Sequence, residues 1–439
     1  MKRFFRFSLF ALMAVVTVAA VLLSYVGYYR VRSSRFDTIR NELQANGGAF
    51  SLTSEADDAP AQAESSWTES VFGPNAFAEL DEVTLFLNQP APGLVSRVLD
   101  FDSPVCINAY GKGIGDEDAA AIGSSAIEEL DLDSTSLTPE GYASIAKASY
   151  LKHLTLVSQE TATANLAPLA KCRSLSELTL IDAEMTPELV AAVAEIKTLR
   201  ELFLFQVRWP SEAGWQAMNQ LTQLETLRIT SSKTPPGTSP ALGDLSNLRR
   251  IEIDAGELKS FDGVRVSPEF VEALATVDSL QTLEVGLMKV EPPLAVWPSM
   301  SELPGLTRLS LAKVRGVEDF STVTTATSLT SLDIGEGFQN SSLTNFAELK
   351  RLTQLTIDSD QVTDEAVAYL QGLPKLTELN AGGAGFTDNA IDELAKIKTL
   401  RKLTLGPQVT KEAAERLKEA LPKCQITLVN STGNEIGRF

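Results

Sequence analysis

Few residues in this chain have side chains suited to catalysis. The sequence holds one histidine, His153, and three cysteines, Cys106, Cys172 and Cys424, which lie far apart along the chain. No pair of cysteines has the spacing of a metal site, and an odd number argues against a disulfide-based fold. An isolated histidine is usually a surface residue. The sequence therefore predicts no catalytic, cofactor-binding or metal-binding residue and no enzymatic activity.

Two short segments have a superficial likeness to functional motifs. The glycines and lysine of 111–115 suggest a phosphate-binding loop, but the G-x-x-x-x-G-K-[ST] order is absent. The carboxylates of Glu129, Asp131 and Asp133 are expected to approach one another on adjacent strands. Paired acids need a cleft to shift their pKa values, and an open sheet does not readily provide one. Neither segment is predicted to be an active site.

A periodic set of apolar residues dominates the chain. From residue 127 onward the pattern L-x-x-L-x-L returns about every 24 residues, within the roughly 20–29 residue period of leucine-rich repeats. The last two apolar residues of each copy are two apart, so on a strand both face the core. Leu355 and Ile357 are thus predicted to point inward, whereas Gln354, Thr356 and Asp358 point outward. The clearest copies begin at Leu175, Leu199, Leu352 and Leu400.

A helix signal follows many of the predicted strands. Thr138-Pro139, Thr186-Pro187 and Ser267-Pro268 each place a capping hydroxyl before a proline, which suits the first position of a helix. Thr363 is a further N-cap candidate. Each repeat is therefore strand, turn, short helix and return. One repeat cannot bury its own apolar face, so the array must be long. We expect a solenoid of about fifteen repeats over residues 77–430, shaped as a horseshoe with a parallel concave β-sheet and short convex helices, followed by a C-terminal tail at 431–439.

The repeat period is longer in the middle of the array. The steps into Leu280 and Leu306 contain extra residues, at 257–264 and 291–297, and residues 234–237 replace a helix with an irregular segment. Insertions in solenoids collect on one face and often carry function. They are also tolerated as simple loop growth, and the sequence leaves both interpretations open.

The first residues form a different kind of segment. No charged residue occurs between Phe7 and Tyr29, and about 20 apolar residues span a bilayer. The sequence predicts a basic tail at 1–6, a transmembrane anchor at 7–29, and a juxtamembrane helix with an acidic spacer at 30–76. A cleaved signal peptide is the alternative, although no convincing cleavage site follows the apolar core. The expected location is a single-pass membrane protein whose repeat domain lies outside the cytoplasm.

Charge is divided unevenly along the chain. The first 40 residues hold seven basic residues and one aspartate, whereas the whole chain has a net charge of -19. The remainder therefore carries a net charge of −25. Such a surface repels nucleic acid and anionic lipid, so we expect no nucleic-acid partner. Because catalytic motifs are absent from the sequence, we also expect no small-molecule substrate.

Arg6-Phe7-Ser8-Leu9 leads into an apolar helix, which is followed by an arginine-rich exit, Gly47-Gly48, and then Trp67, Gly73 and Phe77. In these features, and over nearly its whole length, the chain resembles the membrane-anchored leucine-rich-repeat proteins of planctomycete-type bacteria. Val362-Thr363-Asp364 and Phe386-Thr387-Asp388 keep the family's repeat turn, whereas 207–210 and 231–233 depart from it. The resemblance implies the fold and the anchor, and it supplies no catalytic residue.

A protein-binding role on the concave face is the function we expect. The predicted binding patch has aromatic and basic side chains at outward positions of three neighbouring strands, namely Phe203, Phe205, Arg228 and Arg250, and Trp209 is predicted to lie at its rim. Exposed aromatic residues are common at protein-binding hot spots. The alternative for this patch is that residues 231–243 fold over the two phenylalanines and bury them. The alternative functions are a GTPase-activating type of regulator, if the domain is cytoplasmic, and a structural protein of the cell envelope.

Overall fold

The computed structural model describes residues 9–52, 67–72, 80–101, 104–157, 166–233, 240–254 and 264–439. The chain divides into two compact units. Unit 1 comprises the residues up to Thr155 together with Lys171–Ser174, and unit 2 comprises Leu156–Ala170 and Leu175–Phe439.

Unit 1 is a short stack of repeats preceded by a long helix. Strands β2, β3 and β4 are parallel neighbours, and β1 pairs with β2 in antiparallel fashion. The pairing of β1 occupies the edge of the first repeat strand, which would otherwise offer free backbone groups. The elements are α1 (Leu9–Ala45), β1 (Ala49–Leu52), α2 (Trp67–Phe72), β2 (Leu80–Phe86), α3 (Leu94–Phe101), β3 (Cys106–Tyr110), α4 (Asp116–Gly123), β4 (Glu129–Asp133) and α5 (Pro139–Ile145).

Helix α1 continues from the predicted anchor into the predicted juxtamembrane helix without a break. In its C-terminal half Phe36, Ile39 and Leu43 are buried, and the Phe36 ring centroid lies 5.7 Å from that of Phe101 on α3. This half of the helix is thus a packed part of unit 1.

Within the part of the chain that the structure describes, no helix has both the length and the apolar content needed to cross a membrane.

Unit 2 contains most of the repeats. Its strands pair in parallel, in sequence order from β6 to β9 and from β11 to β17. Strand β11 also pairs in parallel with both β9 and β10. Strand β5 (His153–Val157) is divided in sequence, with its residues up to Thr155 assigned to unit 1 and those from Leu156 to unit 2. The other strands are β6 (Glu177–Ile181), β7 (Glu201–Phe205), β8 (Thr226–Thr230), β9 (Arg250–Asp254), β10 (Val264–Val266), β11 (Thr282–Val296), β12 (Arg308–Asp319), β13 (Ser331–Glu336), β14 (Gln354–Ile357), β15 (Glu378–Ala381), β16 (Lys402–Leu405), β17 (Gln425–Val429) and β18 (Glu435–Arg438).

The helices of unit 2 are short. The α-helices are α6 (Pro187–Ala194), α7 (Glu212–Gln216), α8 (Pro268–Leu274), α9 (Val367–Leu370), α10 (Ile391–Leu394) and α11 (Lys411–Ala420). Other repeats have a 3₁₀ turn instead, as short segments often do; these lie at Ala167–Lys171, Ala217–Gln220, Leu242–Asp244, Ser321–Thr325, Asn340–Leu343, Phe346–Glu348, Asp364–Ala366 and Asp388–Ala390. The first of these straddles the division between the units.

The core confirms the inward positions that the repeat pattern predicts. Leu355 and Ile357 are buried, as is Leu403, whereas Gln354 is exposed. Burying one such side chain contributes roughly 1.5–3 kcal/mol. The side chains at the alternate strand positions form the face of the sheet opposite the core, which we call the open face.

The predicted helix starts are also confirmed. Helices α5, α6 and α8 begin at Pro139, Pro187 and Pro268, and in each the preceding hydroxyl accepts a hydrogen bond from a backbone N–H of the first turn. Thr363 differs. It precedes a 3₁₀ turn without a side-chain cap, and its hydroxyl accepts a hydrogen bond from Asn340 Nδ2 at 2.8 Å instead.

Two predicted boundaries change in the structure. The extra residues at 291–297 do not form a loop, because strand β11 continues through most of them and ends at Val296. Strand β12 is also longer than the other repeat strands, and the two pair along this extension. The predicted C-terminal tail contains β18, which pairs with β17 in antiparallel fashion and so occupies the last strand edge. Residues 234–237 and most of 257–264 lie outside the described residues, as do Gly73 and Phe77.

Candidate functional site

The open face of unit 2 has two rows of side chains near β7 and β8. Strand pairing sets the first row in register, from β6 to β9: Thr179, Phe203, Arg228 and Glu252. The second row lies two residues further along each strand: Ile181, Phe205, Thr230 and Asp254. Because neighbouring strands are about 4.8 Å apart, aromatic, basic and acidic groups share one small surface.

These rows border an open cavity of about 390 Å³. Phe203 and Phe205 line it and are half-buried, so their rings are neither core residues nor fully solvated. The guanidinium carbon of Arg228 lies 4.9 Å from the Phe203 ring centroid, a cation–π geometry. The sequence prediction placed both rings on this face, and the structure agrees. Residues 234–239, which belong to the segment predicted as the alternative cover of the two phenylalanine rings, lie outside the described part of the chain.

One carboxylate fixes both predicted arginines. Glu252 is 9% exposed, and both Arg228 Nε and Arg250 Nε donate hydrogen bonds to it. Arg250 also donates to both oxygens of Glu284 at 3.2 Å. Burial lowers the pKa of Arg250, but the hydrogen bond that Arg250 donates to Glu252 and the charges of the neighbouring carboxylates outweigh this and raise it. The result is an ion-paired charged wall beside the aromatic rings.

Trp209 occupies a different place from the one predicted. Instead of lying at the rim of the cavity, its ring packs against Trp215 with centroids 4.6 Å apart, and Trp215 in turn contacts Phe270 of α8. The chain turns after β7, so Trp209 follows the buried Val207 by two residues and shares its inward direction. Its contacts are those of a core residue.

Unit 1 has a face that the sequence reasoning missed. Phe86 and Tyr110 are paired in register on β2 and β3, and their rings stack with centroids 4.8 Å apart. Beside them, burial raises the pKa of Asp131, opposed by a hydrogen bond from Thr155, and the charge of Glu82 raises it further. Burial and nearby carboxylates likewise raise the pKa of Tyr110. In the sequence, each ring comes one residue after an apolar core position, Leu85 before Phe86 and Ala109 before Tyr110. Aligning these two repeats with the later ones would therefore have predicted both rings on the outward side.

A second open cavity lies near the C-terminus. Its volume is about 430 Å³, and its wall is polar, with Asp358 and Asn380 among the side chains and the turn between β17 and β18 on one side. No sequence signal points to this cavity, because its turn residues lie in the predicted C-terminal tail.

The other chemically suggestive residues lie in structural positions. His153 is half-buried on β5, and none of the three cysteines forms a disulfide bond. Gly113 permits the close approach of the carbonyl oxygens of Leu87 and Gln89, which a Cβ would meet. The prediction that Glu129, Asp131 and Asp133 meet across strands was wrong, since all three lie on β4. Across the described ranges, no group of three or more His, Cys, Asp or Glu residues is placed to hold a metal ion.

Comparison with known proteins identifies a family. A family model described as a leucine-rich repeat region matches residues 126–382. A leucine-rich-repeat protein of Leptospira interrogans is similar in structure at 19% identity, with a TM-score of 0.49, covering 79% of this chain and 89% of that one. An internalin of Listeria monocytogenes covers 72% of this chain and 82% of its own at 16% identity and a TM-score of 0.40. The match to the Drosophila Toll–Spätzle complex covers 82% of this chain and 48% of that one, at 12% identity and a TM-score of 0.47. No curated protein matches the chain.

Proposed function

We infer a function from one premise: the chain belongs to the leucine-rich-repeat family, whose model matches more than half of it. Stacked repeats of this kind create extended binding surfaces. We propose that the chain is a membrane-anchored scaffold that binds a protein or peptide through the open face of unit 2, and that it acts by binding and not by catalysis.

The observation that carries this proposal is the aromatic cavity. Two half-exposed phenylalanine rings, Phe203 and Phe205, line about 390 Å³ of open space beside the guanidinium of Arg228. Aromatic and arginine side chains dominate protein-binding hot spots because they combine large contact area with directional polar groups.

The buried glutamate makes this surface ready to bind. Glu252 holds Arg228 and Arg250 in place before any partner arrives. Ordering a long side chain on binding costs about 0.5–1.5 kcal/mol, so two pre-ordered arginines reduce that cost. Asp254, exposed at the cavity edge, adds an acceptor for a donor group of the partner.

The anchor is supported by the N-terminal half of helix α1. Between residues 18 and 31 this half exposes large apolar side chains, including Val21 at 63% and Leu23 at 72%. Such a surface favours an apolar environment. We further propose that the repeats lie outside the cytoplasm.

The binding site is tested by replacing both rings with serine. Phe203→Ser with Phe205→Ser should abolish capture of the partner bands that the full-length chain retains from a detergent extract of its own cells, while the melting temperature changes little. Thr179→Trp should also block capture, because Thr179 pairs in register with Phe203 and an indole there fills the cavity without removing a ring.

The matched control replaces exposed aromatics elsewhere. Tyr150 and Tyr369 are 57% and 36% exposed, and their conversion to serine should leave capture intact. Loss of several kcal/mol of stability in the phenylalanine variant, with capture unaffected by Thr179→Trp, would show that the rings are core residues. Labelling of engineered surface cysteines on intact cells separates this function from a cytoplasmic GTPase-activating role.

A further inference from the structure

The open face of unit 1 carries an exposed aromatic pair beside acidic side chains. Phe86 is 46% exposed, and its ring stacks on the Tyr110 ring with centroids 4.8 Å apart. Backbone pairing places Asp133 of β4 next to Tyr110 in the same row. The face of an aromatic ring attracts cations, and a carboxylate beside the ring strengthens that attraction. This row therefore suits a cationic side chain.

Strand β4 adds further carboxylates along its length. Acidic residues alternate with the buried Leu130 and Leu132, so Glu129, Asp131 and Asp133 all lie on the open face. We call these three residues the acidic column. Successive members of the column are two residues apart, which corresponds to about 6.6–6.8 Å on a strand. Their carboxylates thus form a regular line of negative charge.

Neutral donors hold two carboxylates of this face in place. Asn108, which is 9% exposed, donates a hydrogen bond to Glu82 on β2, and Thr155 donates one to Asp131. Because an amide and a hydroxyl carry no charge, these bonds neutralise neither carboxylate. Burial raises the pKa of Asp131, and the negative charge of Glu82 raises it further. The two carboxylates therefore repel each other across the face.

No ion pair neutralises these carboxylates within the part of unit 1 that the structure describes. The ion pairs found there use other acidic residues, and they join Arg40 with Asp37, Arg97 with Glu42, and Lys152 with Glu128. Lys112, in the turn after β3, is exposed and takes part in none of them. The nearby segments outside the described residues, 53–66, 73–79, 102–103 and 158–165, contain no lysine, arginine or histidine. The open face of unit 1 thus attracts cations.

We propose that the open face of unit 1 binds a basic, extended segment of a partner protein. Lysine or arginine at alternate positions of an extended peptide recurs every 6.6–6.8 Å or so, about the interval of the acidic column. A peptide that lies along β4 can therefore pair one cation with each carboxylate. The cation at the Asp133 end also meets the Tyr110 ring, about 4.8 Å away on the neighbouring strand. The proposal does not depend on the function inferred for unit 2.

The spacing of the acidic column favours a peptide over a single metal ion. Oxygen ligands hold Ca²⁺ or Mg²⁺ at about 2.0–2.6 Å, so they must converge on one point. The column instead extends over about 13 Å. Among the described residues, no group of three or more His, Cys, Asp or Glu is placed to hold a metal ion.

The test is fluorescence anisotropy with a labelled seven-residue peptide that has arginine at positions two, four and six and serine elsewhere. The full-length chain in a neutral detergent should bind it, bind it more weakly as salt is raised, and not bind the peptide with glutamine at those positions. Asp131→Asn with Asp133→Asn should weaken binding at least tenfold. Tyr110→Leu, which removes the ring beside Asp133, should weaken it about threefold.

A matched control replaces two acidic residues with the same spacing elsewhere. Asp358 and Asp360 are exposed and two residues apart, so Asp358→Asn with Asp360→Asn changes the net charge equally and should leave binding unchanged. Equal loss of binding in both double variants would overturn the proposal by indicating a general charge effect. Tighter binding of spermine than of the peptide would also overturn it. If the first double variant fails to fold by circular dichroism, Glu129→Gln decides, since this exposed side chain should account for about a threefold loss.

Discussion

At the scale of single residues, one buried carboxylate organises the predicted binding patch. The sequence identifies Arg228 and Arg250 as outward, but not that Glu252 lies 9% exposed between them. A carboxylate so enclosed requires partners, because an unpaired buried charge costs several kcal/mol. Of the five residues predicted for the patch, four lie on one face, and Trp209 belongs with Trp215.

The inward leucines give the simplest residue-scale prediction. Leu355→Ala should lower the free energy of unfolding by about 2–5 kcal/mol, because Leu355 is 1% exposed and its loss leaves a cavity. Gln354→Ala, one position away, removes an exposed hydrogen bond to Glu378 and should cost within about 0.5 kcal/mol. Urea melts of both variants measure the difference, and equal destabilisation would contradict the strand register.

Tyr142 gives a prediction for alkaline pH. Burial raises its pKa to about 12, from an ordinary value of 10.0. Between these values the folded state holds the proton more tightly than the unfolded chain, so stability is lost as pH rises from about 10 and continues to fall to about 12. Tyr142→Phe keeps the ring and removes the ionisation. Its free energy of unfolding should therefore fall less steeply than that of the parent over this range, and the reverse order would refute the burial argument.

At the scale of elements, polar links join successive repeats. An Asp or Asn at the helix start of one repeat accepts hydrogen bonds from the Thr that begins the next, as with Asp364 and Thr387 and with Asp388 and Thr410. Unit 1 contains the same link between Asp116 and Thr138. Thr387-Asp388 serves twice, because the Thr387 hydroxyl caps its own 3₁₀ turn and Asp388 anchors Thr410 of the next repeat.

Removing one link should weaken the last repeats. Asp388 accepts from the backbone N–H of Thr410 at 2.7 Å and from its hydroxyl at 2.8 Å. Asp388→Ala should therefore cost about 1–2 kcal/mol, and Asp392→Ala, an exposed acid nearby on α10, should cost less than about 0.5 kcal/mol. Hydrogen exchange of α11 amides measures the effect locally; unchanged protection would show that the link carries little energy.

At the scale of the whole molecule, the proposed anchor and the acidic remainder of the chain have opposite preferences for water. Deleting residues 1–29 should give a folded protein that stays in solution without detergent. This cut keeps Arg30, which donates to the Val71 carbonyl at 2.8 Å, and the buried Phe36, Ile39 and Leu43. The full-length chain should resist carbonate extraction from membranes. A native N-terminus beginning after residue 20 would instead support the signal peptide.

The sequence alone determined the repeat, because its core positions recur with a fixed period and a strand can bury only alternate side chains. It also determined the caps at Pro139, Pro187 and Pro268, since those signals are local. Tertiary structure decided what depends on neighbours about 24 residues away. Glu252 pairing with two arginines, Phe86 stacking on Tyr110, and β18 closing on β17 all arise from register between strands.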